Sequence, residues 1–234
     1  MLLVCRPNQK EASAAVIIKS SARYGAANLA AHLTSPEENE RIQITQIRDL
    51  CSETMHDALI EMQAVAAGTR CKSHLYHVMM NPDREMDEQA WDRTWQLYEQ
   101  EYGLEDQPFI EVEHHKQGRT HRHRVYDRIS DEGKAIEIQH NFARNEKIAR
   151  IAEYELGHGL TAGRHNASVA AKLREEGREE IADWLDRAIE IERPQAEKSH
   201  GEHQQEKRST TTLEQVKEDI SNAWHRSDSG QSFE

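Results

Sequence analysis

The sequence predicts an α+β fold: a mainly antiparallel central sheet with flanking helices, followed by a helical hairpin and a polar tail. Three observations carry this. Short apolar or alternating runs at 14–19 (AAVIIK), 41–47 (RIQITQI) and 73–80 (SHLYHVMM) are separated by stretches with helical apolar spacing. Two further runs, Pro108–His115 and Thr120–Ile129, flank Gln117-Gly118, and a tight hairpin excludes a purely parallel sheet. After Gly163 the strand pattern stops and only helical periodicity remains.

Taken in order, Ala14–Lys19 reads as a buried strand, Ser20-Ser21 as an N-cap, and Ala22–Leu33 as a helix. Ser35-Pro36 breaks the chain before the second strand, where Ile42 and Ile44 alternate and Ile47 falls out of step. Ser52-Glu53 opens a helix with Met55, Leu59, Met62 and Val65/Ala66 on one face, stopped at Gly68. The third strand closes at Asn81-Pro82. Asp87–Tyr102 is a helix whose Trp91, Trp95 and Tyr98 stripe reads as core, with Gly103 as its stop. Lys134–Gln139 offers a short strand and Asn141–Gly157 a helix. Asn166–Glu176 and Arg178–Glu192 form a helical hairpin broken at Gly177. From Pro194 to about Thr210 the chain holds too few apolar residues to order itself. Leu213, Val216, Ile220 and Trp224 then mark one amphipathic helix. The expected division is therefore a sheet domain at 1–160, a helical hairpin at 161–193 and a tail at 194–234.

Bulk properties narrow the function. No apolar run is long enough to span a bilayer. Cys5, Cys51 and Cys71 share no metal-ligand spacing, which fits a reduced, cytoplasmic protein. A net charge of −12 argues against nucleic-acid binding by the whole surface. Charge is uneven, however: residues 114–150 carry 9 Lys+Arg against 5 Asp+Glu, a basic stretch in an acidic chain.

That stretch contains the hairpin. A two-residue turn at Gln117-Gly118 sets Glu113 opposite Arg122, Glu111 opposite Arg124 and Ile110 opposite Val125. Ile110, Val112, Val125 and Ile129 then form a core-like face, and Glu111, Glu113, Arg122, Arg124 and Arg128 a solvent-like one. On the apolar face His114 meets His121, with His123 two residues along. His115 points the other way. Directly paired Cβ atoms lie about 5 Å apart and diagonal ones about 7–8 Å, so three imidazoles can converge on one divalent cation. Three protein ligands leave coordination positions open, as a catalytic metal requires.

At these residues the sequence resembles the relaxase/mobilization nuclease family. Its marks here are Gly68-Thr69-Arg70-Cys71-Lys72, Leu75-Tyr76, Asn81-Pro82, Gly103-Leu104, Gln107-Pro108, His114 with Gly118-Arg119-Thr120-His121-Arg122-His123, and Gly163-Arg164-His165-Asn166. The resemblance implies a nuclease domain at 1–160 that nicks single-stranded plasmid DNA at a transfer origin. It also implies a divalent cofactor, Mg²⁺ or Mn²⁺, on His114, His121 and His123, and a tyrosine that stays linked to the 5′ phosphate. Relaxosome accessory proteins are the implied partners. Tyr24 occupies the tyrosine's region of the chain, and Arg119, Lys116 and Arg23 are the candidate DNA contacts. Where many relaxases carry an acidic residue shortly after the first histidine, this chain has Lys116, so no carboxylate is assigned to orient a ligand ring. Two other readings follow from the same residues: a catalytically silent mobilization protein that binds DNA or relaxosome partners, and an unrelated three-histidine hydrolase.

Overall fold

The structure, a computed structural model, describes residues 15–36, 39–189 and 200–227. It divides into a unit over Met1–Glu192 and a second over Arg193–Glu234. The first unit is built on five strands: β1 (Val16–Arg23), β2 (Arg41–Arg48), β3 (Leu75–Pro82), β4 (Phe109–Lys116) and β5 (Arg119–Asp127). Their order is β1-β3-β5-β4-β2, and every neighbouring pair is antiparallel.

Helices cover both faces. On one lie α1 (Ala26–Leu33) and α2 (Met55–Ala66), whose Leu29, Leu33, Leu59 and Met62 meet Leu75, Ile110, Val112 and Val125. On the other, α3 (Glu88–Tyr102) and α4 (Asn141–Glu155) bury Trp91, Trp95, Tyr98 and Ile148 against Tyr76, Val78, Phe109 and Tyr126. The helical hairpin, α5 (Asn166–Glu175) and α6 (Glu179–Ile189), turns at Gly177 with φ 75° and adds Val169, Leu173 and Leu185 to the same core.

The β4–β5 register is the one read from the sequence: His114 pairs with His121, Glu113 with Arg122 and Glu111 with Arg124. Gln117 and Gly118 have φ of 52° and 70°, the double positive φ of a two-residue turn matched to strand twist. The irregular Ile47 is also accounted for. A bulge between Ile44 and Gln46 resets the alternation, so Ile42, Ile44 and Ile47 all pack on the α1/α2 side.

Several sequence expectations change, among them the cap of α2, which is Thr54 rather than Ser52. The strand expected to end at Lys19 runs on to Arg23, because Ser20, Ser21 and Ala22 pair with Val78, His77 and Tyr76. Helix α1 starts only after Gly25, whose φ of 76° breaks the strand, so Ser20-Ser21 is not its cap. Lys134–Gln139 contributes a single bridge, Ile129 to Ala135, rather than a strand. The face holding Glu111, Glu113, Arg122 and Arg124 is not solvated: these residues are 1–7% exposed, because α3 lies over them. Arg124 is sandwiched between Trp95 and Phe109, 4.4 and 4.1 Å from the ring centres, and binds Glu111 at 2.7 Å and Glu99 at 3.0 Å. Arg122 sits over Trp91 and binds Glu113 at 2.8 Å. Alternation marked this face as polar; mutual ion pairing is what lets it be covered.

The second unit holds α7 (His200–Arg208) and α8 (Leu213–Arg226). The α7 stretch was expected to be without structure. Its Glu, Gln, Lys and Arg are good helix formers, and a helix needs no core to satisfy its own backbone. On α8, Val216, Ile220 and Trp224 are exposed. The expected strand start at Ala14, the end of the second hairpin helix and the tail residues 194–199 lie outside the described residues.

Candidate metal centre

The triad lies on the α1/α2 face where that core ends. One ligand atom from each of His114, His121 and His123 lies within 4.8 Å of the others. Ring centres are 5.1 Å apart for His114–His121, 4.7 Å for His114–His123 and 5.1 Å for His121–His123. His114 and His123 are buried and His121 half-buried, so the group opens on one side.

Neighbours orient two of the rings. His114 Nε2–H donates to the Leu33 carbonyl at the end of α1, 2.7 Å away, which leaves Nδ1 for a cation. His123 Nδ1 lies 2.8 Å from Nε2 of His77, a buried residue of β3. A cation on His123 would therefore use Nε2, Nδ1–H would donate, and His77 would accept. Such a second partner fixes the tautomer and raises the basicity of the ligand. The sequence showed no carboxylate for this task; the structure puts an imidazole there. His77→Phe keeps a ring but removes the acceptor and is expected to weaken divalent-metal affinity about 10–100-fold, read by titration calorimetry. An unchanged affinity would show that packing alone orients His123.

The rings are held neutral. Burial first, then the charges of His114, Lys116 and His115, lowers His121 to about 4. Burial followed by Arg23, His32 and His114 brings His77 to about 4. His114 is lowered by burial against the opposing pull of the Leu33 carbonyl, and His123 is driven down by burial and its imidazole neighbours. The sign follows directly. A depressed imidazole pKa keeps the lone pair free until the pH falls through that lowered value, so protons compete weakly with a metal. Ordinary imidazoles would lose about tenfold in affinity per ligand for each pH unit below 6.5. Metal affinity is thus expected to fall by well under 100-fold between pH 7.5 and 5.5; a 100-fold fall or more would contradict this.

Three neutral imidazoles fit a divalent transition metal, and among the described residues no carboxylate joins the group. A cleft of about 880 Å³ runs from His123, His77 and His32 across the β1 edge to Asn145 on α4 and to Arg164 and His165. Arg23 lines it, as does Lys19. Lys116 and Arg119 lie on the triad's face of the hairpin tip, with Arg119 paired to Asp83. Tyr24 follows Arg23 and is 78% exposed, between the end of β1 and the start of α1. The structure brings together the three histidines and, along the cleft, Arg23; Tyr24, the next residue, is not among those lining it. The residues that sequence reasoning missed are His77 and His32. Both depend on β3 and α1 being laid beside β5, which no local pattern records.

No curated protein matches the chain. The model of the relaxase family, described as MobA/VirD2-like, nuclease domain, matches residues 31–160, which run from the end of α1 through α4 and include the whole histidine hairpin. That match covers more than half of the chain, and with the histidine centre at its middle it places this protein in the relaxase family, MobA/VirD2-like nuclease type.

Proposed function

We propose that the protein is a metal-dependent, site-specific single-strand DNA endonuclease and strand transferase. It nicks plasmid DNA at a transfer origin during mobilization and holds the 5′ end in a covalent protein–DNA intermediate. The observation that carries this reading is the open, neutral three-histidine centre at one end of a cleft lined with cationic side chains. A bound divalent cation would polarise the scissile phosphate and stabilise charge developing on its oxygens. The chain's own residues do the rest. Lys19, Arg23 and Arg164 can hold the sugar–phosphate backbone along the cleft, with Lys116 and Arg119 at the hairpin tip. Leu33 and His77 fix the ligand rings. Three imidazoles without a carboxylate suit Zn²⁺, Fe²⁺ or Ni²⁺ better than Mg²⁺, so Mn²⁺, Ni²⁺ and Zn²⁺ belong in any assay beside Mg²⁺.

The test is adduct formation: purified full chain, divalent metal, and single-stranded oligonucleotides tiled across the DNA beside its gene. A labelled DNA segment that stays with the protein through denaturation is expected, and chelation should abolish it. In the tyrosyl form of the chemistry, Tyr24 attacks and Tyr24→Phe loses the adduct. Binding without cleavage or adduct would instead assign the role of a silent mobilization protein.

A further inference from the structure

The cleft that begins at the histidines ends on an aromatic ring. Phe142, in the first turn of α4, is 77% exposed and lines the cleft with His123 and His77. It belongs to neither hydrophobic core. A single exposed apolar side chain is ordinary on a protein surface, and three features set this one apart. The first is that its backbone is held. Asn141 Nδ2 donates to the Ser20 carbonyl at 2.9 Å, and Asn145 Nδ2 donates to Ser20 Oγ at 2.9 Å. Asn145 Oδ1 in turn accepts from the Tyr102 hydroxyl. The turn carrying Phe142 is therefore fastened to β1 on both sides of the ring.

The second feature is place. Strand β1 is an edge of the sheet, and α4 closes that edge by bonding Val16 and Ser20. The row His123–Met79–Lys19 spans two strand spacings, about 10 Å, from the triad to β1. Phe142 stands on the helix beyond it, so a strand with one phosphate at the metal passes the ring some nucleotides away from that phosphate. The third feature is charge. Lys19, Arg23 and Arg164 line the same cleft and make no ion pair among the described residues. Glu146, the acidic residue on this face of α4, is occupied by the His165 backbone N–H at 2.7 Å. An exposed ring between free cations is the arrangement that unpaired nucleotides favour: phosphates on the cations, a base on the ring.

We propose that Phe142 is a base-stacking platform, on which one unpaired base of the substrate strand lies at a position removed from the nick. This rests on the relaxase reading above and adds a subsite to it. Every base has a π-face, so the platform accepts any sequence. It does require a base free of its neighbours, which a duplex does not offer. The cations alone would hold either form of DNA; the ring supplies the preference for a single strand. Fixed at the far end of the cleft, it also limits sliding of the strand past the metal.

The test is binding of the full chain, in EDTA, to the fluorescently labelled tiled single-stranded oligonucleotides, read by anisotropy at several salt concentrations. Wild type is compared with Phe142→Tyr, Phe142→Leu and Phe142→Ala. Tyr should bind within about twofold of wild type, and Leu and Ala about 10-fold more weakly. The salt dependence of these variants should match wild type, whereas Arg164→Ala should lower its slope by about 0.7. Unfolding midpoints should be unchanged, since the ring is exposed. An abasic position is then walked along the best-bound oligonucleotide. At one position wild type should lose about 10-fold while Phe142→Ala loses nothing further. Wild-type affinity in Phe142→Ala or Phe142→Leu, a lowered salt slope in Phe142→Ala, or no abasic position that cancels the difference overturns the platform and leaves the relaxase reading intact. No binding by wild type in EDTA also overturns the platform. If Mn²⁺ then yields neither binding, cleavage nor adduct, the relaxase reading falls with it.

Discussion

Replacing His121 by Ala is expected to reduce nicking about 10³-fold while leaving the fold intact. The magnitude follows from the role. A Lewis acid at the scissile phosphate supplies several kcal/mol of transition-state stabilisation, and about 4 kcal/mol is a factor of about 10³ in rate. His121 is the best of the three for this test because it is half-buried and, among the described residues, has no hydrogen bond like that of His114 to Leu33 or His123 to His77. Losing it opens the site without emptying the core. The measurement is single-turnover cleavage of a labelled oligonucleotide beside a metal titration. Both should fall together, with DNA binding in EDTA unchanged. Full cleavage by His121→Ala would remove the metal centre from the mechanism.

The largest effect on stability is expected from Arg124. Its guanidinium is 5% exposed and binds Glu111, Glu99 and Gln46 while stacked between two aromatic rings. Arg124→Met keeps volume but removes the 2.7 Å partner of the Glu111 carboxylate, only 2% exposed, leaving it Thr45 at 2.6 Å and the longer contact to Arg122 at 3.6 Å. Breaking one side of a buried pair costs about 3–5 kcal/mol, which for a chain of this size lowers the unfolding midpoint by roughly 10 °C. Glu99 is affected less, since Arg48 also binds it at 3.1 Å. Adding Glu111→Leu to Arg124→Met should recover part of the loss, because it removes a buried charge that only the longer Arg122 contact still offsets. A loss under about 1 kcal/mol in urea unfolding would mean that water reaches Glu111 in the variant.

Features set by nearby residues were legible in the sequence, and features set by distant segments were not. The hairpin register was legible because opposed charges and a turn glycine within one short segment leave one consistent pairing. From that register alone, His114 could be chosen over His115. The Trp91, Trp95 and Tyr98 stripe was legible from helical spacing. What could not be read is what lies on top of what. Glu111 and Arg124 alternate like a solvated face, and only α3 crossing above turns them into core. His77 looks like one more strand residue until the strand order puts β3 against β5.

The buried arginines also bear on how tightly this protein can hold DNA. Arg122 and Arg124, counted in the basic stretch, are neutralised inside by carboxylates, and Lys147 and Arg144 are paired with Glu101. Far fewer cations reach the cleft than the sequence count implies: Lys19, Arg23 and Arg164 line it, and Lys116 stands on the triad's face. Each phosphate neutralised on a single strand frees about 0.7 of a counterion. Affinity should therefore fall only about as the third power of salt concentration, a shallow dependence for a DNA enzyme. Little of the binding would come from ion release, and an acidic protein of this kind would pass over bulk DNA and stay where a shaped single strand fills the cleft.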